Sequence, residues 1–183
     1  MSTAAAGRSD GRGLPERVPE TPDEAQLKAV FREYASGVTV VSTRHDGIAH
    51  AMTASAFCSV SLDPPMVLVC VARSARFHAA VLGSGRWAAS ILTADQQQLA
   101  AHFARPGRDL IGQFADVDHV VGRWTEAPVL TGAAAWLECE TRDAHPAGDH
   151  TVLVADVLAA GVNAVSVPPL TYHRGGYASP GPG

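Results

Sequence analysis

Apolar and polar positions along the 183-residue chain fall into a helical and an alternating period, and the two periods mark out its elements. Leu27, Val30, Phe31 and Tyr34 lie at helical spacing on one face. Thr21-Pro22-Asp23-Glu24 stands before them as a capping box, with Thr21 as N-cap, Pro22 at the first helical position and an acid three residues on. Gly37 closes this helix. Strand signals follow. Val38 to Thr43 is rich in β-branched residues, Asp46-Gly47 is a hairpin turn signal, and a second extended stretch runs through Ile48 to Ser55. Ser59 to Leu62 continues in extended style, and Asp63-Pro64-Pro65 breaks the chain. Met66 to Ala72 is nearly all apolar, the pattern of a strand buried on both faces. Ser74 reads as the N-cap of a short helix that carries Phe77, Ala80 and Val81 and is ended by Gly83. Arg86 to Leu92 reads as another strand. Thr93 with Gln96 forms a second capping box, for a helix with Leu99 and Phe103 that stops before Pro106. Residues 107–131 are less regular and predict a partly helical excursion. Ala133 to Thr141 and His150 to Ala160 read as two long strands joined by a loop, Arg142 to Asp149. A last apolar stretch ends in Pro168-Pro169-Leu170-Thr171-Tyr172. Strands outnumber helices and several are joined by hairpin-like turns. This predicts a mainly β chain with short helices (α+β), an antiparallel barrel and not a doubly wound parallel sheet.

The two ends fall outside this pattern. Residues 1–20 are rich in Gly, Arg, Ser, Ala and Pro and contain no apolar core, so they read as a disordered tail and not as a secretory signal. Ser179 to Gly183 reads as a frayed end, which leaves one domain over residues 21–178. Hydrophobic residues at 46% and charged residues at 17% suit a domain with a real core. A formal net charge of −4 gives no general attraction to nucleic acid or to anionic lipid. No apolar run approaches the roughly 20 residues of a membrane helix. Cys58, Cys70 and Cys139 are odd in number, far apart and set among apolar neighbours. They read as buried structural cysteines in a reducing cytosol, and the chain as cytoplasmic.

Several motifs fail on context. Gly83-Ser84-Gly85-Arg86-Trp87-Ala88 matches GxGxxA, but a helical pattern precedes it and a strand follows, the reverse of a dinucleotide-binding turn. There is no P-loop. The eight histidines include no HExxH, and the pairs His45/His50 and His145/His150 are five apart, which suits neither a helix face nor a strand face, so no metal site is expected. GxSxG is absent, and no carboxylates are paired as a glycosidase needs.

Chemistry concentrates in Met52 to Arg76. Thr53, Ala54, Ser55, Ser59 and Ser61 gather hydroxyls and small side chains, which let a ligand approach the backbone and offer donors to carbonyl, ribityl or phosphate oxygens. Ala72-Arg73-Ser74-Ala75-Arg76 sets two guanidiniums beside a helix start, which suits an anion. Read from physics alone, a tightly packed strand followed by an ordinary capped helix accounts for the same residues.

The stretch resembles the signature of the flavin reductase-like family, the small partners of two-component flavin-dependent monooxygenases. Ser55-Ala56-Phe57-Cys58-Ser59-Val60-Ser61-Leu62-Asp63-Pro64-Pro65 is the most specific part. Tyr34 to Thr43 resembles the family's opening, Gly148-Asp149-His150-Thr151 its nicotinamide-facing GDH motif, and Pro169 to Tyr177 its closing segment. Together they span about Gln26 to Tyr177. The resemblance implies a split β-barrel of the FMN-binding type, a homodimer with flavin near the interface, and NAD(P)H-dependent reduction of FMN or FAD for a partner monooxygenase.

Carried over by position, the resemblance implies that Thr53, Ala54, Ser55, Ala56, Ser59 and Val60 line the isoalloxazine and ribityl chain. Ala72, Arg73, Ser74 and Arg76 would hold the phosphate end, and His150, with Tyr177 nearby, would face the nicotinamide. Phe57 reads as core. Some family members carry Asn in the small-residue segment where this chain has Ala54-Ser55, which leaves FMN and FAD both open. No basic cluster is dedicated to a 2′-phosphate, which favours NADH over NADPH. Hydride transfer between two cofactors also explains the lack of an acid/base dyad. Two other readings stay open: a flavoprotein that retains its flavin and passes electrons directly, and a non-catalytic flavin-binding module.

Overall fold

The computed structural model of the protein describes residues 21–164 and 166–179. The expected disordered tail at residues 1–20 and most of the expected frayed end lie outside the described residues.

The first helix, α1 (Glu24–Arg32), starts two residues later than the capping pattern predicts. Asp23, not Thr21, is its N-cap: the Asp23 carboxylate accepts the Gln26 amide at 2.8 Å, and the Gln26 side chain accepts the Asp23 amide at 3.0 Å. A carboxylate placed there also meets the positive end of the helix dipole. The helix stops at Arg32, and Gly37 belongs instead to a two-residue strand, β1 (Ser36–Gly37).

Next come β2 (Thr39–His45) and β3 (Ile48–Ala54), joined at Asp46-Gly47, both with positive φ as the hairpin signal requires. β4 (Phe57–Leu62) and β5 (Pro65–Ala72) form a second hairpin. β5 is not buried on both faces: Val67, Val69 and Val71 are buried, while Met66, Leu68, Cys70 and Ala72 are half-exposed. Helix α2 (Arg76–Ser84) follows, with Phe77, Ala80 and Val81 buried. Its N-cap is Ala75, not Ser74, and no side chain caps it; Gly85, left-handed at φ 68°, ends it two residues beyond Gly83. β6 (Arg86–Ile91) leads to a 3-10 turn with Thr93 at its N-cap position, as expected, and then to α3 (Gln97–Ala104). There the Gln96 side chain accepts the Thr93 amide at 3.2 Å, while the Thr93 hydroxyl has no partner among the described residues.

No helix occurs in residues 107–131. Apart from the short hairpin β7 (His119–Val121) and β8 (Pro128–Leu130), this segment is irregular. Its apolar residues have no helical period, and its first part is pinned by polar side chains. The Gln113 amide donates to the carbonyls of Ala49 and Leu110, and Arg108 donates to those of Phe103, Arg105 and Ala51.

β9 (Ala135–Ala147) and β10 (His150–Val162) are longer than the pattern suggests, because Arg142 to Ala147 is strand and not loop. Gly148, at φ 61°, allows the tight turn between them. Pro146 is tolerated because β6 pairs with β9 only over Ala135–Glu140. Beyond that point β9 is an edge, where a missing N–H costs no ladder bond. β11 (Thr171–His173) and β12 (Gly176–Ala178) pair with β1 in a small separate sheet.

The main sheet has seven antiparallel strands in the order β3-β2-β6-β9-β10-β5-β4. Its two outer strands, β3 and β4, are joined only by Ser55 and Ala56. Laid flat, seven strands would hold those edges about 29 Å apart, whereas two linking residues span at most about 11 Å. The sheet must therefore curl until β3 faces β4, and it forms a barrel split along that seam. Trp87, Phe77, Val41 and Leu153 fill its core, and a second cluster with Leu92, Phe103 and Leu170 lies under α3. The cysteines differ from expectation: Cys139 is buried with its thiol pushed up to about 12 by burial and by Glu138, Cys70 is half-buried, and Cys58 is exposed on β4.

Candidate functional site

The split exposes backbone that a closed barrel would pair. Ser55, Ala56, Ser59 and Val60 are exposed along it. Thr53 is half-buried, and its hydroxyl donates to the Ala100 carbonyl at 2.7 Å, which ties β3 to α3. The Ala54 side chain packs in the core, so only its backbone is open to a ligand. Phe57 packs against the same core, as expected.

At one end of the seam lies a cavity of about 390 Å³ whose lining includes His50, Thr53, Ser74, Arg76, Arg105 and Arg108. Three structural elements meet there. α2 brings Arg76, whose Nη2 donates to the Arg108 carbonyl at 2.7 Å. The loop after α3 brings Arg105 and Arg108. β3 brings Thr53 and His50. Among the described residues none of Arg73, Arg76, Arg105 and Arg108 pairs with a carboxylate. Their mutual repulsion is felt: burial, then Arg76, then Arg105 lower the basicity of Arg108. Burial, then His45, then Arg76 hold the His50 imidazole below the usual histidine range. The Nδ1 of His50 is buried with no hydrogen-bond partner. Uncompensated cations and an orphaned ring nitrogen fit an anionic ligand group such as a phosphate.

Ala72 and Arg73 stand beside this cavity and do not line it. The Arg73 amide donates to the Asp149 carbonyl at 2.9 Å, and Ala72 pairs with His150 across β5 and β10. This register places the start of β10 beside the Arg73-Ser74 turn. His150 Nδ1 lies 2.8 Å from Asp149 Oδ1, a bond that fixes the ring and holds the Asp149 carboxyl below the usual range. A second hollow, about 660 Å³, opens between α1, the Ser55-Ala56 link and Tyr172. Tyr177 stacks edge-on against Tyr172 at 5.6 Å. Within one chain Thr53, Ser74 and Arg76 thus share one cavity, Ser55 and Ala56 line another, and His150 and Tyr177 line neither.

The model of a family described as flavin reductase like domain matches residues 31–181. The chain belongs to the flavin reductase-like family. An NADH-dependent FAD reductase of Streptomyces globisporus is 40% identical over 147 residues, 80% of each protein. The reductase component of a Rhodococcus opacus 4-nitrophenol 4-monooxygenase/4-nitrocatechol 2-monooxygenase is 38% identical over 162 residues, 88% of this chain and 84% of that one. The chain spans only half of a probable flavin reductase of Rhizobium meliloti, at 39% identity. Among solved structures, BorF, the flavin reductase component of a bacterial two-component tryptophan halogenase, superposes with a TM-score of 0.81 at 40% identity, over 86% of this chain and 98% of that one. Family membership agrees with the split barrel derived from strand order.

Reasoning from sequence missed His50, Arg105 and Arg108. Arg105-Pro106-Gly107-Arg108, two guanidiniums flanking a turn, was the available signal. It lies in the segment whose irregular pattern concealed its role. Among the described residues no cluster of three or more potential metal ligands occurs, and no helix is long and apolar enough to cross a membrane.

Proposed function

We propose that this chain oxidises NADH, with NADPH as the alternative donor, to reduce FMN or FAD, which leaves as a diffusible product for a separate flavin-dependent monooxygenase. The activity class, NAD(P)H:flavin oxidoreductase, follows from the family. The observation that carries the site is the cation-lined cavity without carboxylates at the end of the split seam.

A flavin and a nicotinamide bring the hydride chemistry with them. The chain's part is to bind and orient. Small side chains at Ala54, Ser55 and Ala56 let a flat ring lie against backbone, and amides of the Thr53 to Ser59 segment and Val60 can donate to its polar edge. Ser74 and Arg76, with Ala72 and Arg73 beside them, would take the phosphate end. His150, oriented by Asp149, would contact the nicotinamide, with Tyr177 nearby. Holding both rings in register is where most of the rate gain lies.

A homodimer belongs to this reading. Val30 and Phe31 of α1, and Tyr34 just past its end, are 66%, 67% and 75% exposed, a stripe that water would not leave uncovered, and it borders the hollow at Ser55-Ala56. A second copy of the chain would cover it. A cytoplasmic location follows from the need to meet NADH and the oxygenase.

The test is nicotinamide absorbance during turnover, with FMN, FAD or no flavin added to purified protein. Oxidation that depends on added flavin supports the proposal, and the two rates rank the flavins. No oxidation of NADH or NADPH with either flavin would sink it.

A further inference from the structure

We propose that Arg105 and His50 read the phosphate of the flavin tail and make the protein selective for phosphorylated flavins over riboflavin. This rests on the proposed flavin reductase function. Of the three arginines that line the cavity, Arg76, Arg105 and Arg108, Arg105 is the one whose side chain is uncommitted among the described residues. Arg108 acts as a strut: Nη1 donates to the carbonyls of Phe103 and Arg105 at 2.8 and 3.1 Å, Nε to Gln113 Oε1 at 3.0 Å, and Nη2 to the Ala51 carbonyl. Its ring-stacked guanidinium, 5.5 Å from the Phe103 centroid, has little left to offer a ligand. Arg76 spends one nitrogen on the Arg108 carbonyl. Arg105 makes neither an ion pair nor a side-chain hydrogen bond among the described residues, and its main-chain carbonyl accepts from Arg108 in the cavity lining. A guanidinium left unpaired beside other cations, on a main chain that Arg108 anchors, is poised for an anion.

His50 supplies the second, independent sign. Its Nδ1 is buried in the same cavity with nothing to bond. The charged groups that face it are His45 from β2, Arg76 from α2, and Arg105 and Arg108 from the loop. His45 turns to Asp46, and the Asp109 carboxylate is occupied by the amides of Ile111 and Gly112. Burial and the neighbouring His45 and Arg76 lower the ring's affinity for a proton. A bound phosphate reverses that balance, so ring protonation and binding support each other.

Equilibrium titration with riboflavin, FMN and FAD, followed by flavin fluorescence, tests the assignment without turnover. FMN and FAD should bind at least about tenfold tighter than riboflavin, and Arg105→Ala should weaken both about tenfold, the scale of one charge-assisted hydrogen bond. Riboflavin affinity should stay within about twofold, with Arg105→Lys intermediate, since a point charge replaces a fork. A loss confined to FAD assigns Arg105 to the outer phosphate of the dinucleotide; a loss with both flavins assigns it to the phosphate next to the ribityl chain. FAD affinity should also rise as pH falls below the ordinary histidine range, and His50→Asn should flatten that rise. Equal affinity for riboflavin and FMN, or an equal loss of riboflavin in Arg105→Ala, overturns the proposal. Failure to oxidise NADH would count against the reductase reading and leave the binding result to stand on its own.

Discussion

Helices α1 and α2 are each nine residues long, and each carries apolar residues at helical spacing, yet only one of them is packed. α2 lays Phe77, Ala80 and Val81 into the barrel core. α1 has no buried residue, and its stripe faces outward, tethered mainly by contacts at its end: Arg32 to the Arg174 carbonyl, and Arg174 to Glu33. The contrast teaches that an amphipathic pattern says a helix needs a cover and does not say which molecule supplies it. α2 is covered by its own barrel; in the proposed homodimer α1 is covered by a second copy.

Substitutions at matched positions break or sharpen that contrast. Phe77→Ala should cost about 3–5 kcal/mol in urea unfolding, because the vacated volume cannot collapse. Phe31→Ala should change unfolding of the isolated chain by only about 0.5 kcal/mol, the scale of a surface change. Phe31→Asp should convert a dimer to monomer by light scattering while the far-ultraviolet dichroism stays native; a chain that is monomeric before the substitution would leave the exposed stripe uncovered and contradict the homodimer.

The start of α2 gives a smaller effect. Arg76→Ala should raise KM for FMN and FAD about tenfold, with kcat changed less, as expected for a group that binds without touching the reacting atoms. His50 gives the smallest. Burial, then His45, then Arg76 lower its affinity for a proton in the folded protein. The unfolded chain therefore takes up more protons as pH falls, and stability should decline below about pH 6.5. His50→Asn should reduce that decline, read from unfolding midpoints on either side of this pH.

What could be read from sequence was local. Asp46-Gly47, and Thr93 with Gln96, specify their turns through neighbours one to three residues away, and both occur as expected. The shift of the first cap from Thr21 to Asp23 shows the limit of that reading, since two nearby acceptors compete and only geometry separates them. β9 was underestimated because Pro146 and a charged run look like a loop; they are tolerated on an edge that exists because β6 begins only at Arg86, the partner of Glu140. The anion cavity was half legible. Ser74 and Arg76 lie in the signature stretch, whereas Arg105 and Arg108 reach it through bonds such as Arg108 to Ala51, 57 residues away. No periodicity encodes such a contact. The lowered proton affinity of His50 depends on three elements meeting and is invisible in a linear chain.

The central claim is that reduced flavin leaves the protein. It is tested most directly by enclosing the protein with NADH and flavin behind a small-pore dialysis membrane, under anaerobic conditions, with cytochrome c outside. A diffusible reduced flavin predicts that cytochrome c becomes reduced, and only when protein, NADH and flavin are all present. Rapid NADH-driven reduction of cytochrome c in the same compartment, with none across the membrane, would contradict it and indicate a retained flavin that passes electrons by contact.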